Sequence, residues 1–457
     1  MLVSQEIPMS LIKSWYRVRS KGDDRSRSTR RHHGLTACIP VAAVLAIGVI
    51  PVGCGGGTLS ANQQSTPPGT SSGAGATPTA VALAQKADTP VDPAIVTADN
   101  AFGLSLFDTL LGGSGGGNIA ISPLSVALAL HVLYNGAAGS TQQAMAQTLK
   151  LGTLSAQALN NDNAALQASL MSADPKVQLT IANSLWIDQT DGPVLPSFTQ
   201  TDETYYGATI GDLAGAPDNV NAWVDSETHG LITQLLPPGE YVDAIIANVL
   251  YFKGQWTTSF DPSNTDTAPF TLSNGSQTPM ELMHQTGSFP YAAGTLHGVD
   301  FQAVRMPYGQ GRFSMLIILP NAGANVTSFV TAITVDDLNG LMAQLELAMV
   351  TIGLPRFTAS YGTSLTGALG SMGMGIAFGP SADFSALAPG FWINVVEHKT
   401  VVEVDETGTI AAAATGVGLD AVATQQYTII MNHPFFYAIQ DDKTRDLLFI
   451  GVLMNPS

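Results

Sequence analysis

The feature that most constrains this chain is a long run near its C-terminus that consists, for most of its length, of small, uncharged residues. Residues 403–426 read Glu-Val-Asp-Glu-Thr-Gly-Thr-Ile-Ala-Ala-Ala-Ala-Thr-Gly-Val-Gly-Leu-Asp-Ala-Val-Ala-Thr-Gln-Gln. Predicted strands flank the run, at residues 392–404 and 428–430. A disordered Ala/Gly linker is one interpretation, but a loop of about twenty residues inside a compact domain is usually functional. The run also contains no proline, although the low-complexity segment near the N-terminus contains several.

The sequence around this run predicts an α+β fold. Apolar residues at helical spacing predict helices at 98–111, 124–134 and 142–149 and an amphipathic helix over 221–236. Further strands are predicted at 247–252, 313–319, 349–354, 435–439 and 447–453. Because the helices come early and the strands come late, we expect large antiparallel or mixed sheets in a single domain.

The N-terminus has the pattern of an export signal. Eight of the eighteen Lys and Arg residues lie within the first 31 positions, and an apolar run over 35–52 follows them. The run is short for a bilayer span and contains Pro40 and Pro51, which favours a signal peptide over a membrane anchor. Cys54 is a candidate for lipidation; the alternative is an exported protein whose cysteine is incidental. We therefore expect an extracytoplasmic protein, either secreted or held as a cell-envelope lipoprotein.

The domain organisation follows from these segments. Residues 55–80 consist mainly of Gly, Ser, Thr, Pro and Gln without charge, a composition that cannot bury enough surface to fold. We predict a signal peptide over 1–54, of either the ordinary or the lipoprotein type, a flexible linker over 55–92 and one domain over 93–457.

Charge and motif content exclude several classes of function. The formal net charge is −17, and almost half of the basic residues lie in the leader. Such an acidic body argues against nucleic-acid or heparin-like partners. The sequence lacks a zinc-binding His-Glu-x-x-His, a Gly-x-Ser-x-Gly elbow and a P-loop, and its two cysteines, Cys38 and Cys54, both lie in the leader. We expect no cofactor, no metal and no catalytic site.

Residues 406–415 resemble the hinge of a serpin reactive-centre loop. Further motifs follow in the order of that family and extend the resemblance over 93–457. They lie at residues 118–125, 136–141, 182–186, 221–224 with 228–232, 248–256, 306–308, 314–315 with 319–320, 433–435 and 448–451.

The resemblance implies a serpin fold with three β-sheets, about nine helices and an exposed reactive-centre loop. It also implies a monomer that inhibits serine-type endopeptidases as a suicide substrate. The protease cleaves the loop and forms an acyl-enzyme, and the loop then inserts into the main sheet and distorts the trapped protease. The alternative is a non-inhibitory serpin that acts as a surface binding or carrier module.

The side chains that would point inward after insertion favour an inhibitory member. A strand alternates its side chains with period two, so a strand entering at Thr409 has one inward set. Every member of that set is small or apolar: Thr409, Ala411, Ala413, Thr415, Val417, Leu419 and Ala421. The single charged residue, Asp420, falls on the other face, where it costs no desolvation.

The resemblance also assigns three groups of residues that take part in insertion. The hinge residues are Glu406, Gly408, Thr409, Ala411, Ala412, Ala413, Ala414 and Thr415. The shutter residues, a polar cluster where the central strands part, are Ser122, Ser125, Asn248 and His398. The breach residues, at the top of the same sheet, are Trp256, Arg356 and Glu406. Thr407 and Ile410 depart from the family pattern, which is commonly acidic at these positions.

The scissile bond is predicted within the same loop. Counting from the hinge gives Val422–Ala423, counting back from the C-terminal motif gives Ala423–Thr424, and a shorter loop gives Leu419–Asp420. The first two bonds present a small aliphatic residue that suits elastase-like or subtilisin-like proteases. No Arg or Lys lies between Ala411 and Thr428, which argues against trypsin-like targets.

Overall fold

The computed structural model describes residues 87–189, 193–237, 244–408 and 426–457. Nine α-helices lie within these ranges, in agreement with the expected number. They are α1 (Pro93–Gly113), α2 (Pro123–Tyr134), α3 (Gly139–Thr148), α4 (Ala156–Met171), α5 (Pro196–Tyr205), α6 (Asp218–Glu227), α7 (Val326–Thr331), α8 (Val335–Gln344) and α9 (Thr366–Leu369).

The strands alternate with these helices and dominate the C-terminal half. They are β1 (Ile119–Ile121), β2 (Val177–Ile187), β3 (Thr209–Asp212), β4 (Ala244–Gly254), β5 (Thr265–Thr271), β6 (Gln277–Leu296), β7 (Val299–Tyr308), β8 (Phe313–Pro320), β9 (Glu346–Pro355), β10 (Phe357–Ser364), β11 (Val395–Val404), β12 (Gln426–Ile430), β13 (Phe435–Asp441) and β14 (Leu447–Leu453). The domain is therefore α+β, as the sequence predicts.

Hydrogen bonding joins the described strands into two sheets. A five-stranded sheet has the order β10-β11-β4-β2-β3, and a nine-stranded sheet runs β1-β14-β13-β8-β7-β6-β9-β12 with β5 also on β6. The 20-residue strand β6 pairs with β5, then β9, then β7 along its length. Two of the three expected sheets are therefore continuous through β6.

Helix α2 lies between the two sheets and fixes their spacing. It contacts β4 and β2 on one side and β14 on the other. Ser122 caps its first turn by accepting a hydrogen bond from the Ser125 backbone N–H, and Pro123 occupies the first turn, where no intrahelical donor is lost. Eleven of its twelve residues are buried, which matches its almost entirely apolar sequence. The start of α2 thus lies at the centre of the five-stranded sheet.

Helix α1 is long and apolar enough to cross a membrane by length and composition. In the described structure, however, 56% of its most apolar window is buried inside the domain. Its N-cap, Asp92, accepts a hydrogen bond from the Ala94 backbone N–H, as expected of a helix that begins at the domain surface. It is therefore a core helix of the domain.

The amphipathic helix predicted over 221–236 ends much earlier, and this part of the prediction is wrong. Helix α6 stops at Glu227 because His229 and Gly230 adopt positive φ angles of 52° and 83°. The side chain of Asn221 then accepts hydrogen bonds from the backbone N–H groups of Leu235 and Leu236. The apolar residues beyond 227 are therefore buried within this non-helical segment, which folds back on α6, and not on the face of a longer helix.

The central pair of strands in the five-stranded sheet, β4 and β11, share a ladder of backbone hydrogen bonds over only part of their length. The two strands are parallel and pair over four positions, residues 395–398 with 245–248. Beyond the strand ends they meet once more, through an antiparallel bridge between Gln255 and Gly408. Within the described residues, the pairing between these strands is confined to these two places, so residues 249–254 and 399–404 face each other without a shared ladder.

Candidate functional site

The shutter residues come together where β4 and β11 are paired. Ser122 and Ser125 come from the start of α2, Asn248 from β4 and His398 from β11, and Asn248 is the register partner of His398. All four residues are buried. Asn248 accepts hydrogen bonds from the Ser125 hydroxyl and the His398 imidazole, and its amide donates to the Ser125 carbonyl.

The imidazole of His398 has one defined tautomer in this cluster. Its Nε2 accepts from the Ser122 backbone N–H at 3.2 Å, so Nδ1 carries the proton and donates to Asn248 Oδ1 at 3.2 Å. Burial lowers the pKa of His398 to about 3, which keeps the ring neutral near pH 7. The cluster is therefore a network of neutral groups that can exchange hydrogen-bond partners.

Two further polar residues stabilise the same region and were not identified from the sequence. Asn183, on β2, accepts a hydrogen bond from the Asn248 side chain. Thr400, on β11, donates from its hydroxyl to the Ala120 carbonyl at 2.6 Å. The sequence held a signal for Asn183, because it is a polar residue inside the motif at residues 182–186.

The breach residues come together at the other end of the gap between β4 and β11. The Arg356 guanidinium donates to the Glu406 carboxylate, which also accepts from the Thr265 hydroxyl at 2.7 Å. Trp256 donates from its indole Nε1 to the Asp405 carbonyl at 3.0 Å. Thr265, on β5, was missed because nothing in the local sequence connects it with residue 406.

The electrostatics of the breach differ from those of the shutter. The Glu406 side chain is only 7% exposed, whereas that of Arg356 is 48% exposed. Partial desolvation would raise the pKa of Glu406, but hydrogen bonds from Arg356 and Thr265 outweigh it and hold the pKa below its ordinary value. The same hydrogen bond to Glu406 raises the pKa of Arg356. Glu406 is therefore a charged, paired carboxylate at the edge of the core.

Trp256 is fixed by stacking as well as by hydrogen bonding. Its ring lies parallel to that of Tyr308, with centroids 4.3 Å apart and an interplanar angle of 12°. Its backbone N–H donates to the Thr407 carbonyl at 2.9 Å, and the Phe260 N–H donates to the Glu406 carbonyl at 2.7 Å. The segment that leaves β11 is thus tied to the segment that follows β4.

The remaining predicted site residues lie outside the described ranges. They are the hinge residues from Thr409 to Thr415, the three candidate scissile bonds between Leu419 and Thr424, and Cys54 with the predicted signal peptide and most of the linker. Among the residues that the structure does describe, no cluster of His, Asp or Glu has the arrangement of a metal site.

Comparisons with known proteins agree on one family. The family model described as "Serpin (serine protease inhibitor)" matches residues 97–456. The leukocyte elastase inhibitor of Sus scrofa is 31% identical over 377 residues, which cover 79% of this chain and 98% of that protein. The solved native structure of a thermophilic serpin, tengpin, is 29% identical with a TM-score of 0.72 and covers 80% of this chain and 95% of its own. Thyroxine-binding globulin, solved with thyroxine, is 26% identical with a TM-score of 0.72 and covers 79% and 99%.

Proposed function

The chain belongs to the serpin family, and we propose that it is an inhibitory member that traps a serine protease as an acyl-enzyme. The protease cleaves the segment between Gly408 and Gln426, and the freed N-terminal part of that segment inserts between β4 and β11. The inhibitor contributes no catalytic group of its own. Its effect comes from folding free energy that the uncut molecule has not released.

The observation that carries this proposal is the incomplete pairing at the centre of the five-stranded sheet. β4 pairs with β2 along its whole length, and β11 pairs with β10 over residues 397–404, so the remaining edges of β4 and β11 face each other. Over residues 249–254 and 399–404 these edges offer backbone donors and acceptors to a new strand. An inserted strand forms two ladders at once, and each hydrogen bond contributes about 0.5–1.5 kcal/mol net.

The proposed target is an elastase-like or subtilisin-like serine protease. The candidate bonds Val422–Ala423 and Ala423–Thr424 present small aliphatic residues, and the similarity to a leukocyte elastase inhibitor supports the same class. We further propose that the protein acts outside the cytoplasm, because its first 54 residues have the pattern of a signal peptide. We also propose that it acts as a monomer, as the serpin resemblance implies.

The decisive experiment is to incubate the domain with a panel of proteases and look for an adduct that survives SDS. We expect an elastase-like or subtilisin-like enzyme to form one. In the variant Ala411→Arg a charge enters the inward set, so cleavage continues but the adduct is lost. The matched control Ala412→Arg places the same charge on the outward face and keeps the adduct. If every protease cuts the loop and leaves active, the inhibitory proposal is wrong.

A carrier function is the second candidate, and the structural similarity to thyroxine-binding globulin favours it. A carrier does not need to insert its loop. We therefore expect cleavage of the loop by a non-target protease to separate the two functions, because insertion raises the melting temperature of an inhibitory serpin above that of the uncut protein. A cleaved form that melts at or below the uncut form would support the carrier.

A further inference from the structure

We propose that Asp405 and Thr407 are positioning residues that hold the chain in a tight turn and thereby set the direction and register in which the cleaved loop enters the sheet. This inference rests on the proposed inhibitory function. Neither residue belongs to the hinge, shutter or breach groups that the family resemblance assigned. Thr407 is instead a position at which this chain departs from the family pattern.

The turn is built by one carboxylate oxygen. Asp405 Oδ1 accepts hydrogen bonds from the Thr407 backbone N–H at 2.8 Å, the Thr407 hydroxyl at 2.6 Å and the Gly408 backbone N–H at 3.1 Å. The Asp405 backbone N–H closes the turn by donating to the Gly408 carbonyl at 3.0 Å. An aspartate that accepts from the backbone two and three residues ahead stabilises a reversal without any contribution from distant residues.

This arrangement explains the threonine at position 407. An acidic side chain there would bring a second carboxylate close to the Asp405 oxygen that accepts from the two backbone N–H groups, and when ionised it would have no proton to donate. The threonine hydroxyl instead adds a donor to the turn. The pair is therefore chemically matched within this chain.

The turn also reverses the chain in the direction that insertion needs. β4 and β11 are parallel, so a strand placed between them after a reversal at the end of β11 must be antiparallel to both. The bridge between Gln255 and Gly408 is antiparallel, and the Trp256 N–H already donates to the Thr407 carbonyl. The first rung of the new strand thus exists in the uncut protein.

The bridge requires a glycine at position 408 because the two backbones approach closely there. Its φ is 142°, and a Cβ atom at this position would lie 2.2 Å from the Gly254 carbonyl oxygen. A residue with a side chain could not occupy the bridge without displacing β4. The rung is consequently fixed at Gly408 and not at a neighbouring residue.

The bridge specifies the register of everything that follows. Each step forward along the loop is one step back along β4, so Thr409 would enter opposite Gly254, position 411 opposite Phe252 and position 413 opposite Leu250. Directly opposed residues in an antiparallel pair point to the same face. Phe252 and Leu250 are buried in the main hydrophobic core, so this register sends Ala411 and Ala413 into the core. A shift of one residue would send Ile410 and Ala412 there instead.

The test compares how much inhibitor is consumed for each protease molecule trapped. The turn is already formed in the uncut protein, so the inserting chain does not have to order it during the race against deacylation. In Asp405→Ala we expect insertion about tenfold slower, which corresponds to about 1.4 kcal/mol. The stoichiometry of inhibition should rise severalfold while the rate of loop cleavage stays the same.

Conservative variants and a matched control separate positioning from general stability. Asp405→Asn keeps the accepting oxygen, and Thr407→Ser keeps the hydroxyl, so both variants should have the stoichiometry of inhibition of the unmodified protein. Thr407→Val loses one hydrogen bond, and its stoichiometry of inhibition should rise by about threefold. Asn274→Ala is the control, because Asn274 accepts from the Ser276 N–H and hydroxyl in the same way at the β5–β6 turn. It should leave the stoichiometry unchanged.

The outcomes distinguish this inference from the proposed function. An Asp405→Ala variant with the stoichiometry of the unmodified protein overturns the positioning role, as does an Asp405→Asn variant that fails equally. If the unmodified protein traps no protease, the proposed function fails. The turn is then tested by the time course with which cut protein gains heat stability, which Asp405→Ala must slow for the inference to stand.

Discussion

The two places where β4 and β11 meet are built on opposite principles. The shutter is fully buried and consists of neutral groups, with His398 and Ser125 both hydrogen-bonded to Asn248. The breach holds a charged pair, Arg356 and Glu406, whose arginine is half exposed. Neutral networks keep their strength in the core because no charge is desolvated, whereas a charged pair at the edge can be competed by water and salt. At one end the two strands are therefore joined by a buried neutral network, and at the other end the segment that follows β11 is held by a charged pair that water and salt can weaken.

The largest effect is expected from removing Asn248. This side chain takes part in four hydrogen bonds, with Ser125, His398 and Asn183, and its loss leaves buried partners unsatisfied. In Asn248→Ala we expect a loss of about 3 kcal/mol in the free energy of unfolding, measured from urea denaturation. The control Asn161→Ala removes only an exposed contact with Gln157 and should change little. Equal losses in both variants would contradict the importance of the shutter network.

As the pH falls, the shutter should lose its contribution to stability before the breach does. His398 has a pKa of about 3 in the folded protein and an ordinary value of 6.5, so its contribution is complete above pH 6.5 and is lost as the pH falls toward 3. Relative to His398→Gln, the protein should lose about 1.6 kcal/mol of its free energy of unfolding between pH 6.5 and pH 5. Other buried groups, including His131 and Asp446, are common to both proteins, so the subtraction isolates His398.

The breach responds in a lower pH window. The pKa of Glu406 is lowered from 4.5, so its contribution persists down to that value and is lost only as the pH falls further. A difference between the protein and His398→Gln that is the same at pH 6.5 and pH 5 would contradict the separation of the two windows.

The third expected effect concerns the charged pair of the breach. Arg356→Gln leaves the nearly buried Glu406 carboxylate without its cation, and we expect a loss of about 1.5 kcal/mol, between the values for exposed and buried pairs. Arg356→Lys keeps the charge and should lose less. Added salt should reduce the difference between the protein and Arg356→Gln, because the guanidinium is exposed. A salt-independent difference would indicate packing instead of charge.

The smallest effect is expected at Thr265. Its hydroxyl donates to Glu406 at 2.7 Å, and Thr265→Val removes that single hydrogen bond at a cost of about 1 kcal/mol. Thr267, two residues along the same strand, donates to the exposed Glu281 in the same manner. Thr267→Val should therefore stay within about 0.5 kcal/mol of the unmodified protein, as measured by the urea midpoint. Similar shifts in the two variants would mean that the hydrogen bond to the nearly buried Glu406 stabilises the fold no more than the hydrogen bond to the exposed Glu281.

The sequence predicted the family and the α+β fold, and both are confirmed. Strands with compact apolar runs were found nearly in place, and β14 has the predicted bounds of residues 447–453. The 20-residue strand β6 was missed because it contains two prolines and two glycines, which argue against a strand. It forms because neighbouring strands pair with it along both edges, which local propensity cannot reveal.

The site was predicted unevenly for the same reason. The shutter and breach positions came from ordered motifs, and the structure brings their members together, while their roles in insertion stay predictions. Asn183 and Thr265 were missed because their contacts join residues 65 and 141 positions apart in the chain. The turn at Asp405 is local, yet its importance depends on the bridge to Gln255, which only the folded sheet supplies.

The last two strands determine what becomes of the molecule after it is cut. β13 and β14 are buried at every position, and β12 pairs with β9 over five residues. A break anywhere in 409–425 therefore severs the covalent chain but releases no fragment, because the C-terminal piece forms part of the core. We expect the cut molecule to run as one particle in gel filtration and to separate into a large and a small band only under denaturing conditions.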